Sequence, residues 1–259
     1  MSLKLTATTA GNAGLRPLSE LSLAELSRMA DAGIKVVDCI RDLHASGTNL
    51  VEDVLRGSAD FTEWDHYPPN DVQDPASHAQ YYFHAHAPED RDAPDFGHFH
   101  TFMRPKGMPG GVSPAAVPGH VFPAEENDAL SHLVAISMSP TGMPERLFTT
   151  NRWVTGEVWY KAADVIAMLD RFKIDVETPS RPLNQWLTAM VVLFKPQIEH
   201  LLVERDRAIE RWRLQHPNTD VFEDRGLEIA SAMEISLYDH IEQLDRQIDT
   251  ASHASRSDR

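Results

Sequence analysis

The chain has little cysteine, a shortage of basic residues and no long apolar run. A single cysteine, Cys39, among 259 residues excludes an intramolecular disulfide framework and a cysteine-rich zinc finger. Lys and Arg total 24 against 39 Asp and Glu, a formal charge of -15, so we expect no nucleic-acid partner and no anionic membrane partner. No stretch of about 18 apolar residues predicts a membrane-spanning helix. We therefore predict a cytoplasmic protein.

The middle of the chain predicts a small antiparallel sheet. Four segments rich in aromatic and β-branched residues are bounded by turn residues, as is typical of strands. They are residues 79–86, 97–103, 132–138 and 146–150. Helical patterns precede and follow them, so the predicted fold class is α+β, with about four strands flanked by helices.

The last third predicts two long helices. One apolar stripe with a period of 3.6 residues runs from about residue 181 to 215, and a second runs from Leu227 to Ile248. Pro196 should kink or split the first of them, because it removes one helical hydrogen bond. Together the stripes predict a long αα-hairpin over about residues 181–250, which is a candidate seam for a homodimer.

These patterns predict one α+β domain between two loose ends. The first residues are small and polar, and the last are polar and lack a helical stripe. The predicted boundaries are a flexible arm at 1–18, a domain at 19–251 with its sheet core at about 79–151, and a disordered tail at 252–259.

Histidine is the unusual residue of this chain. Of thirteen histidines, six fall within 35 residues. These six are His66, His78, His84, His86, His98 and His100.

Four of these histidines alternate along two neighbouring predicted strands. His84 and His86 share one face of the first strand, and His98 and His100 share one face of the second. If His86 lies opposite His98, then His84 lies opposite His100 and four imidazoles form one patch. The other face then carries Tyr81, Phe83 and Phe99, which suits packing under helices. A slip of one residue would separate the two histidine pairs.

The histidine pattern predicts one divalent transition metal, with Fe, Zn, Mn, Ni and Cu all open. The predicted ligands are His84, His86, His98 and His100. Histidines with water or a carboxylate in an open position are typical of catalytic sites rather than structural ones. The alternative interpretation of the same pairs is a hydrogen-bonded polar network or a pH-sensitive surface.

Polar residues around the histidines could complete such a site. Glu89 and Asp90 are the candidate general bases. Other side chains could bind the metal or orient its ligands, and a cationic residue could bind an anionic group of a small-molecule ligand. These further candidates are His66, His78, His132, Asp65 and Arg152.

Several short motifs resemble those of a bacterial, histidine-rich domain family of unknown function. They are EWDHYP at 63–68, HAH at 84–86, GHFHTF at 97–102 and NRWVTGE at 151–157. This resemblance implies no particular activity. The HAH motif with Asp90 and Gly97 also partly resembles the first metal motif of cupins, which have Glu in place of Asp90.

The leading hypothesis is a metal-dependent enzyme, with non-haem iron oxygen chemistry and zinc-assisted hydrolysis both open. The alternative is a non-catalytic metal carrier or sensor, or an assembly factor that acts through the C-terminal helical hairpin. An open coordination position beside a pocket favours the enzyme. A metal saturated by four histidines favours the carrier or sensor.

Overall fold

One antiparallel sheet is the framework of the structure, a computed structural model that describes residues 13–58, 60–86 and 96–257, with side chains to residue 253. Within these ranges there are six strands and seven α-helices. The strands are β1 Tyr67–Gln73, β2 Ala79–His84, β3 Gly97–Met103, β4 Ser131–Met138, β5 Pro144–Thr150 and β6 Ile229–Glu234. The helices are α1 Leu23–Ala45, α2 Leu50–Val54, α3 Arg152–Thr155, α4 Ala162–Leu169, α5 Arg181–Leu193, α6 Lys195–Gln215 and α7 Leu237–Ser257.

The strands lie in the order in which they occur along the chain, β1-β2-β3-β4-β5-β6. In the pairing of β2 with β3, His84 lies opposite His98 and Tyr82 lies opposite His100. The predicted register, with His86 opposite His98, is therefore wrong by two residues. Because side chains alternate with a period of two, this shift keeps all four histidines on one face and only moves His86 past the end of β2.

The α+β class is confirmed, but the sheet has two more strands than predicted. β1 contains Pro68 and Pro69, which read as turn residues, and it lies at the sheet edge, where missing N–H groups cost no ladder bond. β6 falls inside the predicted last helix. Its six residues pair with β5, and the Ser231 hydroxyl lies 2.6 Å from that of Thr149. Over so short a stretch, tertiary pairing overrides the helical pattern.

Because β6 separates α6 from α7, the αα-hairpin is not formed as predicted. α7 begins only at Leu237 and packs against α1. It extends to Ser257, past the point where the sequence predicts a disordered tail. The break at Pro196 is confirmed, since α5 ends at Leu193 and Pro196 lies in the first turn of α6. A homodimer through this region stays a prediction.

The helices cover the apolar face of the sheet. The rings of Phe99 and Trp186 on α5 are 5.7 Å apart, and the Tyr81 hydroxyl donates to Oδ1 of Asn184, also on α5, at 2.6 Å. Tyr81, Phe83 and Phe99 have no exposed surface. The apolar face is thus packed under helices as predicted, and the histidines lie on the opposite face.

None of the helices in the described parts of the chain is both long and apolar enough to cross a bilayer.

Gly97 tests the pairing that aligns the histidines. A Cβ at this position would lie 2.4 Å from Cζ of Phe83 and 2.7 Å from the carbonyl oxygen of His84. We expect Gly97→Ala to lower the free energy of unfolding in urea by about 1–3 kcal/mol, the usual cost of overpacking. Gly110→Ala is the matched control, because its Cβ would meet no atom within 4 Å. Equal stability of the two variants would contradict the close approach of β2 to β3.

Candidate metal centre

Three histidine side chains converge at the edge of the sheet where β2 ends and β3 begins. Nε2 of His84 lies 2.8 Å from Nε2 of His98 and 3.2 Å from Nε2 of His86. One ring nitrogen from each residue belongs to a group whose members all lie within 4.8 Å of one another. Zinc–nitrogen bonds of about 2.0–2.1 Å place tetrahedral ligands roughly 3.4 Å apart. This histidine triad (His84, His86 and His98) could therefore hold one metal ion.

Two members of the triad are fixed by strand pairing and the third by stacking. His84 and His98 are directly opposed on β2 and β3. His86 follows the strand, and its ring stacks on the indole of Trp64 with 4.1 Å between centroids. The backbone N–H of Trp64 donates to the carbonyl of Ala85 at 2.9 Å, which holds the indole in place. His86 and Trp64 form the accessible side of the triad, since His84 and His98 are buried.

Burial favours the neutral, metal-binding form of the imidazole. His84 is 8% exposed, and loss of solvation, followed by the neighbouring His98 and His86, lowers its pKa to about 2. His100 is fully buried, and its pKa is held well below the usual value for the same reasons. Since a metal competes with protons for the same nitrogens, a site that is already neutral requires no proton release.

His100 lies beside the triad without joining the convergent group of nitrogens. Its ring centroid is 5.2 Å from that of His84 and 4.9 Å from that of His98. Its Nδ1 lies 3.0 Å from Nε2 of His132, and among the described residues its buried Nε2 has no hydrogen-bond partner. The structure thus places the predicted fourth ligand in contact with His132, as a neighbour of the triad.

Glu157 is a buried carboxylate that the sequence pattern does not single out as a site residue. Its Oε2 accepts a hydrogen bond from the backbone N–H of His132 at 2.7 Å. Its Oε1 is buried without a partner in the described part of the chain. Burial, opposed by the charge of Arg205, raises the pKa of Glu157 to about 7. The sequence feature that could have pointed to Glu157 is its position directly before the apolar run Val158-Trp159-Tyr160.

The other histidine candidates lie at the rim of the cluster or away from it. The ring of His66 stacks on that of Tyr82 at 3.6 Å, and its Nδ1 lies 2.9 Å from Oδ1 of Asp71. Its ring centroid is 6.0 Å from that of His84, so His66 borders the triad. His78 precedes β2 at the end opposite to His84, roughly 20 Å away along the strand.

The remaining candidates do not converge on the triad within the described residues. Asp65 is exposed beside His66. Arg152 pairs with Glu223, and its Nη2 lies 2.6 Å from Nδ1 of His120. The candidate bases Glu89 and Asp90 lie outside the described residues, and so does the part of the cupin-like motif that contains Asp90.

The metal-free protein should lose stability in acid. His84, His100 and His132 are buried and neutral, with pKa values lowered to about 2 at His84 and about 3 at His132 and well below normal at His100. The unfolded chain binds these protons near pH ~6.5, so their contribution is complete above that pH and falls as the pH drops toward the lowered values.

The contribution of Glu157 to stability changes with pH in the opposite direction. Its raised pKa contributes stability that is complete below 4.5 and lost as the pH rises through about 7. The three histidines and Glu157 together contribute a net fall of about 3 kcal/mol per pH unit between about pH 6 and 5, and the lowered pKa of the buried His240 adds to it. Urea denaturation in the presence of a chelator measures this slope. His132→Gln should reduce it by about 1.4 kcal/mol per pH unit, whereas the exposed His44→Gln should not. Identical slopes would argue against a neutral His132.

A family model covers the region that contains this site. The model of the domain of unknown function DUF6969 matches residues 30–235, which include all six strands and the histidine triad. No curated protein and no solved structure matches the chain. The resemblance to a family of unknown function is therefore confirmed, and the chain belongs to the DUF6969 family.

Proposed function

We propose that the protein is a metal-dependent enzyme that binds one divalent transition metal through His84, His86 and His98. The observation that carries this proposal is the convergence of three imidazole nitrogens within 4.8 Å in a mostly buried setting. Imidazoles packed this closely form a hydrogen bond only where one ring nitrogen carries the proton and the other accepts it. A metal ion would bind all three nitrogens at once.

Three protein ligands leave coordination positions for water and substrate, which favours an enzyme over a carrier. Among the described residues no carboxylate or cysteine joins the triad, and three histidines are the composition of catalytic zinc sites. The iron oxygenases of the facial-triad type use two histidines and a carboxylate. Zinc-assisted hydrolysis is therefore the favoured chemistry, and oxygen chemistry at iron is the second candidate. A divalent metal on neutral imidazoles retains its charge and acts as a Lewis acid toward a water or substrate oxygen.

Neighbouring residues support the triad in this proposal. The contact between His132 and Nδ1 of His100 fixes the ring that packs edge-on against His84 and His98. Glu157 in turn accepts from the backbone of His132. Such outer contacts orient ligand rings and keep their geometry when the metal leaves.

Metal content tests the ligand set. Protein purified without an affinity tag should contain close to one zinc or iron ion per chain, measured by elemental analysis. The double variant His84→Ala with His98→Ala should contain essentially none, because only one ligand of the triad remains. The control is His44→Ala with His253→Ala, which removes two exposed histidines and should keep the metal. Full metal content in the first variant, with a normal circular dichroism spectrum, would refute the site.

An added ligand tests whether a coordination position is open. With cobalt(II) in the triad, added azide should change the visible absorption bands, because a fourth position is free to exchange. A metal carrier with a saturated shell would show no change at the same azide concentration. That second outcome, in protein with one cobalt per chain, would refute the enzyme hypothesis and favour a metal carrier.

A further inference from the structure

Arg146 lies on the histidine face of the sheet, two strands away from the triad. In the registers of β3, β4 and β5, His98 lies opposite Ser137, and Ser137 lies opposite Arg146. Directly opposed residues of an antiparallel sheet project to the same side. Arg146 and His98 therefore share one face.

A single aromatic ring separates the Arg146 guanidinium from the triad. Its Cζ lies 5.1 Å from the ring centroid of Phe148. The same ring packs edge-on against His98 at 5.1 Å and against His100 at 6.0 Å. Stacking on an aromatic face fixes the plane of the guanidinium and leaves its N–H groups directed outward along that plane.

Arg146 has no acidic partner among the described residues. Glu234 lies opposite it on β6, yet the two side chains form no ion pair. Nε of Arg146 is buried and has no hydrogen-bond partner in the same part of the chain. Arg104 and Arg152, by contrast, are paired with Asp128 and Glu223. A buried charged donor without a partner is destabilising, so a bound anion would supply the hydrogen-bond acceptor that Nε of Arg146 lacks.

The side chains on either side of Phe148 are small and apolar. Ala135 lies opposite Phe148, which lies opposite Ala232, and these three side chains form one buried cluster. This packing fixes the ring over which the Arg146 guanidinium lies.

We propose that Arg146 binds the carboxylate of a small organic acid whose opposite end lies at the histidine triad. The planar guanidinium matches a carboxylate with two parallel hydrogen bonds, and the Phe148 ring holds it in that orientation. Arg146 is thereby assigned as a specificity-determining residue for the substrate. This assignment rests on the proposed function, because the reactive end of the acid is placed at the metal.

The test compares pyruvate with pyruvamide, which has the same shape without the carboxylate charge. Isothermal titration of zinc-loaded protein should show pyruvate binding that weakens at least tenfold in Arg146→Met, the loss expected for a charge-assisted hydrogen bond. Arg146→Lys should restore part of the affinity, because it keeps the charge without the paired donors. Pyruvamide should bind weakly to all three proteins. Arg171→Met removes an exposed arginine and should leave pyruvate binding unchanged.

Three outcomes would overturn the assignment. They are equal pyruvate affinity in wild type and Arg146→Met, no binding of pyruvate, acetate or benzoate at millimolar concentration, and Arg146-dependent binding of inorganic phosphate that is tighter than that of any carboxylate. Zinc content measured on the same samples tests the metal site independently of the anion site. Arg146→Met should hold as much zinc as wild type. Arg146-dependent pyruvate binding to a protein that holds no zinc would refute the metal site and keep the anion site.

Discussion

The pairing of β2 with β3 is the contact on which the rest of the structure depends. It places His84 opposite His98 and, on the other side of the same strands, Phe83 opposite Phe99. One register therefore creates two faces of opposite chemistry. The apolar face packs under the helices, and its burial supplies the hydrophobic contribution to stability. The other face can then hold polar groups whose burial would not be favourable by itself.

That polar face has a cost that the apolar face offsets. Neutral histidines and the carboxyl group of Glu157 are removed from water, and two atoms, Nε2 of His100 and Oε1 of Glu157, lack partners among the described residues. Arg205 shows how a buried charge is partly compensated. Its guanidinium stacks on Trp159 at 4.0 Å and donates to the carbonyl oxygen of Tyr160 at 2.6 Å. Buried polar groups with unmet hydrogen-bonding capacity are common at functional sites. Those of His100 and Arg146 lie on the histidine face, which supports a site there.

Patterns in the sequence predict those structural features that depend only on neighbouring residues. The helix break at Pro196 follows from the residues next to it in the chain. The common face of the histidines is predictable because it depends only on whether the register shift is even or odd. The register itself is set by the close approach at Gly97, and β6 by its distant partner β5, so neither can be deduced from adjacent residues. Glu157 is missed because its burial arises from contacts far along the chain.

The position of His86 just past the end of β2 gives the triad unequal members. His84 and His98 project from paired strands, whereas His86 follows the strand and stacks on the indole of Trp64, beside its contacts with His84 and His98. In the proposed metal centre, ligand exchange would begin at His86. The rate of metal entry and release would then depend on the stacking of His86 on Trp64, while the affinity would depend on all three imidazoles.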